Sequence, residues 1–132
     1  MTEMQKMYYD KRAEILVKNL KNRHFDAYYC STKEEALEKA LSLIPENDTV
    51  GWGGTVTCQQ IGLMDAIRAG NYNALDRDTC KTPQEREELM RQALLSDTFL
   101  TGANALSLDG QMVNIDGVGN RVAAMFQGPK TV

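Results

Sequence analysis

The sequence predicts an α/β domain, a three-layer αβα Rossmann-like arrangement with a mostly parallel sheet and one small β-hairpin. Three observations predict it. Short β-prone runs alternate with amphipathic helical stretches, a glycine-rich loop stands between a strand and a helix, and no internal repeat, low-complexity segment or linker interrupts the order. The 132 residues fit one domain, residues 1–132. A hydrophobic fraction of 42% and a charged fraction of 25% are ordinary for a chain with a packed core.

Residues 2–22 read as a helix, because Met4, Met7, Tyr8, Ile15, Leu16 and Leu20 recur at helical spacing. Residues 26–30 form a short β-prone run. Ser31, with Glu34 three residues on, has the spacing of a capping box and opens a helix to about Leu43, which Pro45 ends. Thr49-Val50 leads as a brief strand into the glycine loop. Residues 57–69 fit one amphipathic helix closed by Gly70, and residues 72–75 a strand. Thr82, Pro83 and Glu85 start a helix that runs to about Leu95, and residues 98–103 read as a buried strand. Residues 108–113 read as a hairpin whose Asp109-Gly110 forms a tight two-residue turn. Residues 120–126 fit a last helix, stopped by Gly128-Pro129. The chain ends at Lys130-Thr131-Val132, where another strand is expected to begin, so a C-terminally truncated domain is expected.

Composition excludes several classes. The net charge is −3 with no basic tract, which argues against a non-specific nucleic-acid binder. No run approaches the roughly 20 apolar residues that cross a bilayer, and the charged first 22 residues lack the apolar core of a signal peptide. Cys30, Cys58 and Cys80 are odd in number and far apart, which suits neither a disulfide framework nor a zinc site. No metal is expected, and the compartment is read as a reducing cytoplasm.

Two loops carry the candidate chemistry. In the first, Gly51-Trp52-Gly53-Gly54-Thr55, three glycines permit positive φ and close backbone approach, and the N–H groups of the following helix start can bind an anion. Thr55 and Thr57 add hydroxyls. The lysine of a phosphate-binding P-loop and the spacing of a dinucleotide fingerprint are both absent. A ligand loop and a tight turn that needs glycine for packing both remain open. Trp52, the only tryptophan, either stacks on a flat substrate or covers the core.

The second is Thr101-Gly102-Ala103-Asn104-Ala105 followed by Asn114-Ile115-Asp116-Gly117-Val118-Gly119-Asn120-Arg121. Asn104, Asn114 and Asn120 can donate and accept hydrogen bonds, with Gly117 and Gly119 giving the backbone room. Asp116 can act as acid, base or hydroxyl acceptor, and Arg121 can fork onto a carboxylate or phosphate. Asp116 and Arg121 are the candidate catalytic pair, and Asn120 also suits a helix cap. Asp76-Arg77-Asp78 reads as a solvated loop with local ion pairing, Glu85-Arg86-Glu87-Glu88 as a solvated helix face, and His24 as an exposed helix-end residue. One histidine allows no Ser-His-Asp system. Cys58 reads as a small buried residue at a helix start.

These segments resemble the lactate-utilisation (LUD) domain family, formerly a domain of unknown function. The resemblance rests on residues 50–57, Asp76-Arg77-Asp78, Lys81-Thr82-Pro83-Gln84-Glu85-Arg86, residues 97–105, residues 113–124 and Gly128-Pro129-Lys130, in the family's order. It implies a fold similar to ribose-5-phosphate isomerase, CoA transferases and 5-formyltetrahydrofolate cyclo-ligase, with a glycine loop and an Asp/Asn loop facing each other over the ligand. It also implies a role in bacterial oxidation of lactate to pyruvate, beside iron–sulfur proteins, and names no cofactor. Family members usually continue with a further strand and helix, and short ones add a Cys-rich tail, so this chain is expected to lack them.

The leading expectation is therefore a lactate-utilisation protein that binds a small anionic or phosphate-bearing metabolite. One alternative is an isomerase- or cyclo-ligase-like enzyme with Asp116 as general acid/base and Arg121 orienting an anionic group. Another is a non-catalytic module docking on iron–sulfur partners. Self-association into a homo-oligomer stays open.

Overall fold

A computed structural model describes residues 1–132. The first helix, α1 (Glu3–Asn22), starts at a capping box: the Thr2 hydroxyl accepts the Gln5 N–H at 3.2 Å, and the Gln5 side chain accepts the Thr2 N–H at 2.9 Å. Its apolar stripe does not enter the core. Met4, Met7, Tyr8 and Ile15 are exposed, and no residue of α1 is buried. Residues 26–30 are not a strand, since the sheet offers them no neighbour. The cap of α2 (Lys33–Leu43) sits one residue later than expected. Thr32 accepts the Glu35 N–H at 3.1 Å, while the Ser31 N–H and hydroxyl both bind the Glu35 carboxylate at 2.9 Å.

The sheet begins with β1 (Thr49–Trp52). The helix expected over residues 57–69 is instead α3 (Val56–Gln60) and α4 (Leu63–Ala69). Gly62 divides them with φ +81°, a left-handed conformation that stops one helix and starts the next. After β2 (Asn73–Leu75) and a single 3-10 turn (Arg77–Thr79) comes α5 (Pro83–Ala93), capped by the Thr82 hydroxyl on the Glu85 N–H at 3.2 Å. Then follow β3 (Thr98–Leu100), β4 (Ala105–Leu106), β5 (Met112–Val113) and α6 (Asn120–Phe126).

The parallel sheet has the order β2-β1-β3, with Gly51 opposite Leu75 on one side and Phe99 on the other. From β1 the chain moves outward to β2, then crosses back over β1 to β3. Right-handed crossovers in opposite directions put helices on opposite faces. Two apolar clusters reflect this. On one face Val50 and Trp52 pack with Ile44, Leu63, Met64 and Ile67, covered by α2 and α4. On the other, Phe99 packs with Ala93 of α5 and Ala124 of α6. Three αβα layers result.

Beyond β3, Thr131 pairs in parallel with Thr98: its carbonyl accepts the Phe99 N–H at 2.9 Å, and its own N–H reaches the Asp97 carbonyl at 3.0 Å. β4 and β5 form an antiparallel hairpin that starts earlier than the expected 108–113 and turns around a three-residue loop. The Ser107 N–H donates to the Gln111 carbonyl at 2.9 Å, and Gly110 closes the turn at φ +88°. The end of α1 is tied to this turn by Asn19 Nδ2 to the Leu108 carbonyl at 2.9 Å and Arg23 Nε to the Asp109 carbonyl at 3.0 Å. No helix is long and apolar enough to cross a membrane.

Candidate functional site

In an open parallel sheet, ligands favour the crevice outside the carboxyl ends of strands where the crossovers diverge. Here that place lies between the loop after β1, residues 53–55, and the loop after β3, residues 101–104. The Gly53 N–H joins the two sides through the Leu100 carbonyl at 3.0 Å.

Arg121, at the start of α6, reaches into this crevice. Its Nη1 donates to the Gly54 and Gly102 carbonyls, each at 3.3 Å. Nη2 donates to Asn104 Oδ1 and the Ile115 carbonyl, each at 2.9 Å, and Nε to Asp116 Oδ1 at 2.5 Å. These contacts engage all five N–H donors of a guanidinium. The group is therefore a brace between the glycine loop, the loop after β3 and the Asp116 loop.

Its stem explains a glycine. A Cβ at Gly53 would press on Arg121 Cγ and lie 2.8 Å from Cδ, and a Cβ at Gly51 would lie 2.7 Å from Ala93 Cβ. None of Gly51, Gly53 or Gly54 has positive φ, so the allowance for positive φ in this loop is corrected. Glycine serves here by letting α5 and Arg121 come close.

Asp116 is nearly enclosed, with a side chain 5% exposed. Burial alone would raise its carboxyl. The hydrogen bonds from Arg121 Nε and the Val122 N–H (2.7 Å to Oδ2), with the Arg121 charge, outweigh burial and hold it below the usual carboxylate range. Near neutral pH it is an ionised acceptor, not an acid.

The other candidates divide. Asn104 joins the same network, its Oδ1 also accepting the Ile115 N–H at 2.9 Å. Gly54 and Gly117 meet no side chain or backbone within 4 Å of a would-be Cβ. Gly119, at φ +79°, is the cap of α6, a place open to Asn120 on sequence grounds; Asn120 is the first helical residue. Thr55 caps α3, its hydroxyl accepting the Cys58 N–H at 3.3 Å. Trp52 lies on the opposite face of the sheet, 2% exposed, its Nε1 donating to Asp78 at 3.2 Å. Asn114 shares a lining with Thr101, Gly102 and Ala103 of the loop after β3. It lines an apolar groove with Phe25, Met112, Val122, Met125 and Phe126, and its buried Oδ1 has no hydrogen-bond partner.

The Asp76-Arg77-Asp78 run divides at the end of β2. Asp76 and Asp78 both turn to Arg68 of α4, which binds Asp76 at 2.6 Å and Asp78 at 3.4 Å and stacks over Trp52 with its guanidinium carbon 5.5 Å from the ring. The Arg68 hydrogen bond holds the Asp76 carboxyl low against burial. Arg77, between them, turns to the other face and packs under α5, with Nη1 3.8 Å from Met90 Sδ. β2 ends at Leu75, and the 3-10 turn that follows, capped by the Asp76 side chain on the Asp78 N–H at 3.0 Å, sets Arg77 apart from both carboxylates; no period in the sequence signals it.

The chain belongs to the LUD domain family, whose model matches residues 13–132. Neither a curated protein nor a solved structure matches it.

Proposed function

We propose that this lactate-utilisation (LUD) domain binds a small anionic metabolite, carboxylate- or phosphate-bearing, at the carboxyl ends of β1 and β3, in support of lactate oxidation to pyruvate. One observation carries the reading: Arg121 draws the glycine loop, 67 residues away in the chain, and the Asp116 loop into the crevice where such sheets take ligands. Gly53, Gly54 and Thr55 form one wall; Asn104, Gly117, Gly119 and Asn120 form the other. Arg121 acts as a positioning residue. Asp116 holds it and, where turnover occurs, serves as acceptor or base.

Calorimetric titration of the chain with lactate, pyruvate, sugar phosphates, nucleotides, coenzyme A and folates at millimolar concentration tests this. Saturable heat from any of them supports it, and silence from all overturns it.

A second reading, docking onto an iron–sulfur partner, is favoured by the apolar groove of about 560 Å³ lined by Phe25, Met112, Val122, Met125 and Phe126. Capture of such a partner that survives substitution in both polar loops, and fails with Phe126→Ser, would favour it.

A further inference from the structure

The anion-binding reading needs a cation with free donors, and Arg121 has none. Arg77 has them. In β1 and β2, Gly51 stands opposite Leu75, and both strands end at this carboxyl side of the sheet, β1 leading into Gly53 and β2 into the 3-10 turn that begins with Arg77. Gly53 and Arg77 both face the α5–α6 layer: the Arg121 stem crosses Gly53, and Met90 of α5 touches Arg77. Arg86, four residues before Met90, shares its helix face.

Arg77 is partly buried, and its flanking carboxylates are both committed to Arg68. Its one side-chain hydrogen bond is the weak contact to the Met90 sulfur. Burial, then the charge of Arg86, lowers the affinity of this guanidinium for its proton; Asp78 offsets part of this, and Arg121 adds to it. It remains a cation at any physiological pH. Arg86 and Arg121 are near enough for their charges to be felt at Arg77, and no carboxylate is hydrogen-bonded to it.

We propose that Arg77, assisted by Arg86, recognises the charged end of the ligand, a carboxylate or phosphate group. The site deepens the anion-binding reading and rests on it. The body of the ligand has room in the adjoining cleft of about 530 Å³ between α5 and α6, whose lining includes Met90, Val118, Gly119 and Asn120. Glu87 at the same cleft is paired with Arg91 at 2.8 Å, which lessens its repulsion of an anion.

The test uses inorganic phosphate and pyruvate as probes, titrated into the wild-type chain, Arg77→Met and Arg86→Gln, with chloride as control and salt varied. At least one probe should bind the wild type. Arg77→Met should weaken it at least about tenfold, the usual scale for losing a charge-assisted hydrogen bond. Arg86→Gln, a change on an exposed helix face, should weaken it several-fold and reduce its salt dependence. Loss with phosphate alone, or with both probes, assigns the group recognised. A wild type silent to both probes overturns the inference, whereas the broader reading falls only if every ligand of the wider panel is silent. Binding unchanged in both variants overturns the assignment of Arg77 and leaves the broader reading standing. Should Arg77→Met fail to fold, unchanged binding in Arg86→Gln is sufficient to overturn it.

Discussion

Gly53→Ala isolates the packing that builds the candidate site. Gly53 does not occupy the left-handed region, so alanine brings no backbone strain. The cost is steric: the new Cβ would press on Arg121 Cγ and lie 2.8 Å from Cδ. Overpacking a close-fitted position costs about 1–3 kcal/mol when neighbours can shift. Arg121 shifts only by giving up some of its five hydrogen bonds, so the loss should sit at about 2–3 kcal/mol. For a domain of this size that is a fall in Tm on the order of 10 °C. Gly54→Ala is the control. Nothing lies within 4 Å of its would-be Cβ and its φ is not positive, so it should be neutral or stabilising by about 0.4–1 kcal/mol, through the unfolded chain. Urea and thermal unfolding followed by far-UV circular dichroism decide between them. Equal loss at both positions, or none at Gly53, would refute the close-approach account. In an Arg121→Ala background, which itself costs about 3–5 kcal/mol by stranding Asp116, Gly53→Ala should cost nothing more.

Other outcomes follow from the same contacts. Asp116 has a folded pKa below its unfolded value, so its contribution is fully present above about pH 4 and is lost as pH falls through the folded value. Urea midpoints across the acid range should therefore drop more gently for Asp116→Asn than for the wild type; identical acid limbs would remove Asp116 as a source. Trp52, 2% exposed on the far face, should emit as a buried indole and keep its emission maximum when a bound anion saturates the chain. A large red shift would place it in the site instead. Thr82→Ala should cost about 1 kcal/mol by removing the cap of α5, with no effect on anion affinity. Gly119→Ala should cost about 1–2 kcal/mol, because φ +79° is unfavourable for most residues with a Cβ, and Gly119→Asn should recover part of it. Equal stability of the Ala and Asn variants would count against that conformation.

The order of helices and strands was legible because each has a local cause. Thr82 and Glu85 carry their own cap, Pro45 and Gly70 stand at helix ends, and α6 begins and ends where its residues predict. What failed was what depends on distant groups. The apolar stripe of α1 has the helical period, yet Met4, Met7 and Tyr8 stay exposed, since periodicity shows a face and not what meets it. Residues 26–30 have strand composition but no strand beside them. The helix over residues 57–69 hid a break, because an isolated glycine in a helical pattern is tolerated at a cost of about 1 kcal/mol and need not end a helix.

The meeting of two loops was legible, but what each residue does there was not, and the reason is electrostatic. Loops at the carboxyl ends of parallel strands can be named from residue order alone, and Gly53, Gly54, Asn104, Asp116 and Arg121 do meet. Whether an arginine is a ligand for an anion or a brace depends on how many of its donors the fold consumes. Arg121 lies beside Asp116 and three carbonyl groups and is consumed. Arg77 sits in sequence between two aspartates, which suggests local pairing. The 3-10 turn after β2 sends Arg77 toward Met90 of α5, so it pairs with neither of these nearest carboxylates. Both aspartates bind Arg68, and Asp78 also accepts the Trp52 Nε1–H. This Asp-Arg-Asp run thus separates charge at the end of β2: its carboxylates answer Arg68 on one face, and its arginine lies against α5 with no carboxylate partner.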